Sequence, residues 1–131
     1  MANAKKKILI PGTISPAAIE LLKKREDVDA VVYDVTISTA QFHALLKDAQ
    51  AVALSMTPFG EAELKAAPQI KVVARIGVGY DAVDVPLLTR HNIPLMVTGT
   101  ANSPTVAENA LFLMMALAKL GYSEPQIKAI I

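Results

Sequence analysis

Residues 71–108 read KVVARIGVGYDAVDVPLLTRHNIPLMVTGTANSPTVAE, and this stretch decides the fold. It contains two short apolar runs, Val72 and Val73 within 71–75 and then 94–97, and a small turn with glycine follows each of them. A strand that ends at a glycine turn leaves backbone N–H groups unpaired, and such groups suit an anion. The stretch therefore predicts two neighbouring strands that end side by side at a small-molecule site.

The same alternation of apolar runs and helical patterns extends over the whole chain. Strands are predicted over 7–10, 28–35, 50–54, 71–75 and 94–97. Helices are predicted over 17–24, after a cap at Ser38 or Thr39, over 61–67, after a cap at Asp84, over 103–119 with Ser103 as cap, and over 123–131. Strict βα alternation predicts an α/β fold. We expect one flavodoxin-like domain over 1–131, with three layers: an open, parallel, five-stranded sheet in the order 2-1-3-4-5 and helices on both faces.

Composition narrows the function classes. The chain of 131 residues is 53% hydrophobic and 19% charged, which suggests a sheet buried on both faces or an apolar surface that meets a partner. The net charge of +1 gives no attraction to nucleic acid or anionic lipid. No apolar run reaches the roughly 20 residues that span a bilayer. With no cysteine, thiolate metal sites are excluded. We expect a cytoplasmic protein without a nucleic-acid, membrane or metal partner.

The turn at 77–82 matches the pattern G-x-G-x-x-[G/A] after a strand. A dinucleotide site would also need a long helix and an acidic residue after the next strand. Pro86 falls inside that helix, and no acid follows the strand at 94–97. The alternatives are a glycine turn that only redirects the chain, and a turn that binds a small anion through the amides of Val78 and Gly79.

Polar side chains at the same predicted edge of the sheet are further candidates. Ser55 and Thr57 follow the third strand, where a hydroxyl can bind substrate or satisfy its own backbone. Arg75 ends the fourth strand and can hold a carboxylate, although pairing with Asp81 or Asp84 is the favoured interpretation.

Helix 103–119 and the histidines complete the search. Apolar residues surround most of the circumference of this helix, so it requires burial on more than one side. The last helix, another domain or another subunit can provide this, and one alternative is a homodimer through helix 103–119. His43 and His91 have no sequence partner for a triad or a metal site. No catalytic residue is therefore assigned.

Three linked motifs carry a resemblance to a known family. They are R-x-G-x-G-x-D-x-x-D at 75–84, N-I-P at 92–94 and N-S-x-x-V-A-E at 102–108. Together they closely resemble the D-2-hydroxyacid dehydrogenases, a family that includes phosphoglycerate dehydrogenase and hydroxypyruvate/glyoxylate reductase. The similarity covers roughly residues 6–119.

The resemblance implies a flavodoxin-like substrate-binding domain of an NAD(P)-dependent oxidoreductase that interconverts 2-oxo and 2-hydroxy acids. It implies that the amides of Val78 and Gly79 hold the substrate carboxylate. It also implies that the loop with Ser55, Met56 and Thr57 lines the same pocket. Val106, near the start of helix 103–119, would approach the cofactor only if a nucleotide domain were present.

The chain departs from the family pattern after residue 119. The family inserts a nucleotide-binding domain there, which supplies the dinucleotide loop, an arginine and a histidine–carboxylate pair. We therefore expect an excised, rebuilt or engineered substrate domain that holds no cofactor itself and is inactive alone. Its tail 123–131 would take the place of the helix that normally returns to this domain. The alternative is a free-standing flavodoxin-like module for small-molecule binding or assembly.

Overall fold

The computed structural model describes residues 5–121 and Gln126. Its strands are β1 (Lys6–Pro11), β2 (Val28–Tyr33), β3 (Ala51–Leu54), β4 (Val72–Arg75) and β5 (Leu95–Val97). Its helices are α1 (Pro16–Lys23), α2 (Thr39–Leu46), α3 (Glu61–Ala66), α4 (Val85–Arg90) and α5 (Ser103–Leu120). Strands and helices alternate throughout, as the sequence predicts.

The five strands form one parallel sheet in the order β2-β1-β3-β4-β5, which confirms the predicted α/β fold and strand order. The register pairs Leu54 of β3 with Arg75 of β4, and Arg75 with Val97 of β5. The carboxyl ends of these three strands are therefore level with one another. The loops that follow them begin at the same edge of the sheet.

The core lies on the three central strands. Leu9, Val52 and Val73, one from each of β1, β3 and β4, are at most 1% exposed. Phe42 and Leu46, four residues apart on α2, pack into the same cluster. β-branched and leucine side chains on a sheet covered by helices give the near-continuous apolar runs seen in the sequence.

Local capping sets several helix boundaries. The Ser38 side chain accepts from the Gln41 amide, and the Gln41 side chain accepts from the Ser38 amide, which forms a capping box for α2. Asp84 Oδ1 accepts from the Leu87 amide at 2.8 Å and caps α4. Both predicted caps are confirmed. β2 ends at Tyr33, two residues before the predicted 35, because the Asp34 carboxylate turns the chain by accepting from the Thr36 amide.

The chain divides into two compact units, Met1–Gly99 and Thr100–Ile131. The second contains α5, whose N-cap is Asn102 without a side-chain capping bond, so the predicted cap at Ser103 is wrong. Gly121 ends the helix in the left-handed conformation, with φ 64°. No helix in the described ranges has the length and hydropathy to cross a bilayer. The predicted helix 123–131 lies outside the described residues, apart from Gln126.

Candidate functional site

Three loops meet at the carboxyl edge of β3, β4 and β5. The Ile76 amide donates to the Leu54 carbonyl at 2.9 Å, which joins the loop after β4 to the end of β3. The Thr98 amide donates to the Gly77 carbonyl at 3.2 Å, which joins the loop after β5 to the same turn. Backbone hydrogen bonds thus hold the predicted site loops beside one another. Carboxyl edges of this kind are where open α/β sheets bind ligands.

Gly77 gives the central turn its shape. Its φ of 142° is a backbone conformation that residues with a side chain rarely adopt. Its amide donates back to the Arg75 carbonyl at 3.0 Å. Val78 and Gly79 follow and are exposed. Within the described part of the chain, their amides donate to no other group. Two consecutive N–H groups of exposed residues thus have no described partner, and such groups suit an anion.

The same turn does not fit a dinucleotide. α4 begins only at Val85, has six residues and carries Pro86 in its first turn. No acidic residue follows β5, where the chain continues with Thr98 and Gly99. A pyrophosphate loop opens directly into a longer helix, and the ribose needs an acid after the next strand. The residues of this turn therefore do not fit the pattern that binds NAD(P).

Arg75 folds back over the turn instead of pairing with an acid. Its guanidinium donates to the Ile76 carbonyl, and Nη2 lies 3.2 Å from Met56 Sδ. Among the described ion pairs none joins Arg75 to Asp81 or Asp84, so the predicted pairing is wrong. Gly77 leaves room for the guanidinium in this position, because a Cβ on residue 77 would lie only 2.8 Å from Arg75 Nη1.

A cavity of about 450 Å³ lies next to the loop after β3. Its lining comes from the ends of β2 and β3 and from α2 and α3: Tyr33, Val35, Ile37, Thr39, Phe42, Ser55, Met56, Thr57, Pro58 and Glu63. The structure thus brings the predicted residues Ser55, Met56 and Thr57 together in one wall. The Ser55 hydroxyl makes no hydrogen bond to another described residue, so it is available to a ligand.

Tyr33 forms the inner part of this cavity and was not predicted. Its hydroxyl donates to the Ala53 carbonyl at 2.9 Å, and its ring centroid lies 5.2 Å from that of Phe42. Burial raises the pKa of the Tyr33 phenol, which interaction with the Thr57 side chain opposes only in part. The phenol therefore stays neutral at physiological pH.

Glu63 links α2 to α3 at the rim of the cavity. One carboxylate oxygen lies 3.0 Å from His43 Nε2, and the other accepts from the Gly60 amide at 2.9 Å. Burial by itself raises the pKa of Glu63, but these hydrogen bonds outweigh it and the pKa lies below its usual 4.5. A glutamate with a lowered pKa stabilises the fold above its unfolded pKa, and this contribution is lost as the pH falls through the folded pKa.

Glu63→Gln should therefore lower the free energy of unfolding at pH 7 by about 0.5–1.5 kcal/mol, because one amide oxygen cannot replace both carboxylate oxygens. The difference from wild type should shrink as the pH falls below the usual 4.5 and through the lower pKa of Glu63 in the folded chain, where the wild-type carboxylate becomes protonated. Urea denaturation at a series of pH values measures both effects. Glu26→Gln is the control, since Glu26 is exposed and has no described partner. An equal loss in both variants at every pH would contradict the assignment.

Sequence reasoning could have found one of the two missed groups. Tyr33 is the last residue of β2, at the edge already predicted to bind a ligand, so the rule that located Ser55 also applies to it. The contact between His43 and Glu63 gives no such signal, because the residues are 20 positions apart on different helices. Across residues 5–121, no three His, Cys, Asp or Glu side chains converge on a possible metal position.

Comparisons with known proteins identify the family of the chain. The profile of the D-isomer specific 2-hydroxyacid dehydrogenase catalytic domain matches residues 8–130. D-3-phosphoglycerate dehydrogenase of Synechocystis sp. is 34% identical over 114 residues, which cover 86% of this chain and 20% of that protein. D-3-phosphoglycerate dehydrogenase 3, chloroplastic, of Arabidopsis thaliana is 33% identical over 93% of this chain and 21% of that protein.

Solved structures give the same result. NAD+-bound 3-phosphoglycerate dehydrogenase of Entamoeba histolytica superimposes with a TM-score of 0.74 at 26% identity, over 85% of this chain and 38% of that one. Glyoxylate/hydroxypyruvate reductase of Sinorhizobium meliloti, in complex with NADP and malonate, gives 0.66 at 26% identity, over 86% and 34%. The chain spans about a fifth of the length of the curated relatives. Fold, motifs and profile together place the chain in the D-2-hydroxyacid dehydrogenase family, where it matches the catalytic domain.

Proposed function

We propose that this chain is the substrate-binding domain of an NAD(P)-dependent D-2-hydroxyacid dehydrogenase. The carboxylate of a small 2-oxo or 2-hydroxy acid binds to the amides of Val78 and Gly79. The observation that carries the proposal is the pair of consecutive, exposed amides without a described partner. Hydrogen bonds from neutral donors to a carboxylate are stronger than those between neutral groups, which suits such a site. The free hydroxyl of Ser55 supports it, because its loop is joined to the same turn through Ile76.

Hydride transfer needs a protein that positions the nicotinamide against the substrate. The described residues offer no fit for a dinucleotide, so we propose that the cofactor binds to an additional nucleotide-binding domain and approaches Val106. On this proposal the 131-residue chain alone oxidises no NADH with glyoxylate, and measurable turnover would contradict it. A homodimer through helix 103–119 is a further proposal, supported by the 61–72% exposure of Leu111, Phe112, Met114 and Met115.

Titration of the isotopically labelled chain with pyruvate should shift the amide NMR signals of Val78 and Gly79 first. Pyruvamide, which has the same shape without the negative charge, should leave these signals nearly unchanged. Ser55→Ala should weaken pyruvate binding by about tenfold, because a hydrogen bond to a charged group contributes about 1.5–3 kcal/mol.

Ser15→Ala is the matched control for this titration. Ser15 is exposed, and its side chain makes no capping hydrogen bond to α1. Its substitution should leave pyruvate affinity unchanged. Equal shifts with pyruvate and pyruvamide, or shifts that avoid the 77–79 turn, would overturn the proposed carboxylate site.

A further inference from the structure

The cavity beside the turn at 77–79 is lined mainly by apolar side chains. We propose that it receives an uncharged aliphatic side chain of the substrate, so that the preferred ligand is a 2-oxo or 2-hydroxy acid with an apolar side chain and not a phosphorylated one. This inference rests on the proposed function, since it takes the substrate carboxylate to lie at Val78 and Gly79.

The loop after β3 lines the cavity and also contacts the turn at 77–79 through Arg75 and Ile76. Met56 lines the cavity, and its sulfur lies 3.2 Å from the Arg75 guanidinium, which folds over the turn. Ser55 lines the cavity as well and directly follows Leu54, whose carbonyl accepts from Ile76. An acid whose carboxylate is held by the turn can therefore extend its side chain past Met56. The volume of about 450 Å³ is within the range of about 300–1,000 Å³ typical of small-molecule sites.

The walls of the cavity are mainly apolar. Val35, Ile37, Phe42, Met56 and Pro58 supply carbon and sulfur surface. Two polar groups of the lining are already used: the Tyr33 hydroxyl donates to Ala53, and both Glu63 oxygens accept hydrogen bonds. An aliphatic side chain of the ligand can thus be buried here, and the Tyr33 and Glu63 groups keep their hydrogen-bond partners.

Charge argues against a phosphate in the same place. No lysine or arginine lines the cavity, whereas the Glu63 carboxylate does. Phosphate sites in proteins use arginine, lysine or the free amides of a helix N-terminus. The capping box of Ser38 and Gln41 occupies amides at the start of α2, and Glu63 occupies the Gly60 amide at the start of α3.

A series of 2-oxo acids with side chains of increasing length tests this inference on the full chain. Pyruvate, 2-oxobutanoate, 2-oxopentanoate and 4-methyl-2-oxopentanoate should all shift Val78 and Gly79, and the longer acids should also shift Val35 and Ile37. Affinity should rise by up to about fourfold for each methylene group buried. D-lactate and 3-phosphoglycerate form a matched pair that differs by the phosphate group, and 3-phosphoglycerate should bind no more tightly than D-lactate.

A variant pair locates the effect. Val35→Trp should remove the gain in affinity with side-chain length, because the indole fills the cavity. Val32→Trp, on a similarly exposed valine outside the cavity lining, should preserve that gain. If the acids bind at Val78 and Gly79 without a dependence on length, or if 3-phosphoglycerate binds more tightly than D-lactate, the inference is overturned and the proposed function stands. If no acid shifts Val78 and Gly79, both are overturned.

Discussion

Gly77→Ala should destabilise the chain by about 1–3 kcal/mol and weaken binding of 2-oxo acids by at least about tenfold. At φ 142° any side chain strains the backbone. The new methyl group would also lie 2.8 Å from Arg75 Nη1. Relief of this strain must rotate the peptide that leads to Val78, and the two exposed amides would then point in different directions. Urea denaturation measures the first effect, and NMR titration with pyruvate measures the second.

Gly79→Ala is the control for stability. Gly79 has no positive φ, and a Cβ there would meet only Asp81 Oδ2, at an ordinary 3.4 Å. Its replacement should change the free energy of unfolding by less than about 1 kcal/mol.

The double variant Gly77→Ala with Arg75→Ala separates the backbone strain from the clash with the guanidinium. Removal of the guanidinium relieves the clash but not the strain. Equal stability of Gly77→Ala and wild type would show that the turn does not need glycine.

The strand order could be predicted because local signals agree along the whole chain. Each apolar run is short, and the segment between two runs has a helical pattern or a cap, as at Ser38 and Asp84. Parallel strands need such crossovers, so few topologies remain. The predicted end of β2 was wrong because a side chain bonds the local backbone: the Asp34 carboxylate accepts from the Thr36 amide and ends the strand early.

The site could be predicted only in part. Chain direction alone places Ser55 and Gly77 at one edge of the sheet, and the structure confirms that these loops lie side by side. The orientation of a long side chain is a tertiary property. Sequence favoured an acidic partner for Arg75, but the space that Gly77 leaves directs the guanidinium to Ile76 and Met56. The cavity escaped prediction for the same reason, because its walls come from four elements that meet only in the folded chain.

Phe59 connects these loops to the core. Its side chain is 1% exposed, and its backbone forms a parallel bridge with Val83. The Phe59 amide donates to the Ala82 carbonyl at 2.9 Å, and the Asp84 amide donates to the Phe59 carbonyl at 2.9 Å. One residue thus fixes the end of the cavity loop 55–58 and the end of the glycine turn 77–81. Burial of its ring stabilises both loops together.

Phe59→Ala should lower the free energy of unfolding by about 3–5 kcal/mol, since it removes a fully buried ring and leaves a cavity. This is a large part of the roughly 5–15 kcal/mol typical of a domain, so the variant should unfold at a clearly lower urea concentration than wild type. Phe112→Ala is the matched control: Phe112 is 66% exposed, and its loss should change stability by at most about 0.5 kcal/mol.

Phe59→Leu should fold, and it tests whether Phe59 connects the two loops of the candidate site. It should weaken pyruvate binding and speed hydrogen exchange in both 55–58 and 77–81, because both loops depend on the same residue. Faster exchange in only one loop would show that Phe59 stabilises the core but does not link the stability of loop 55–58 to that of turn 77–81.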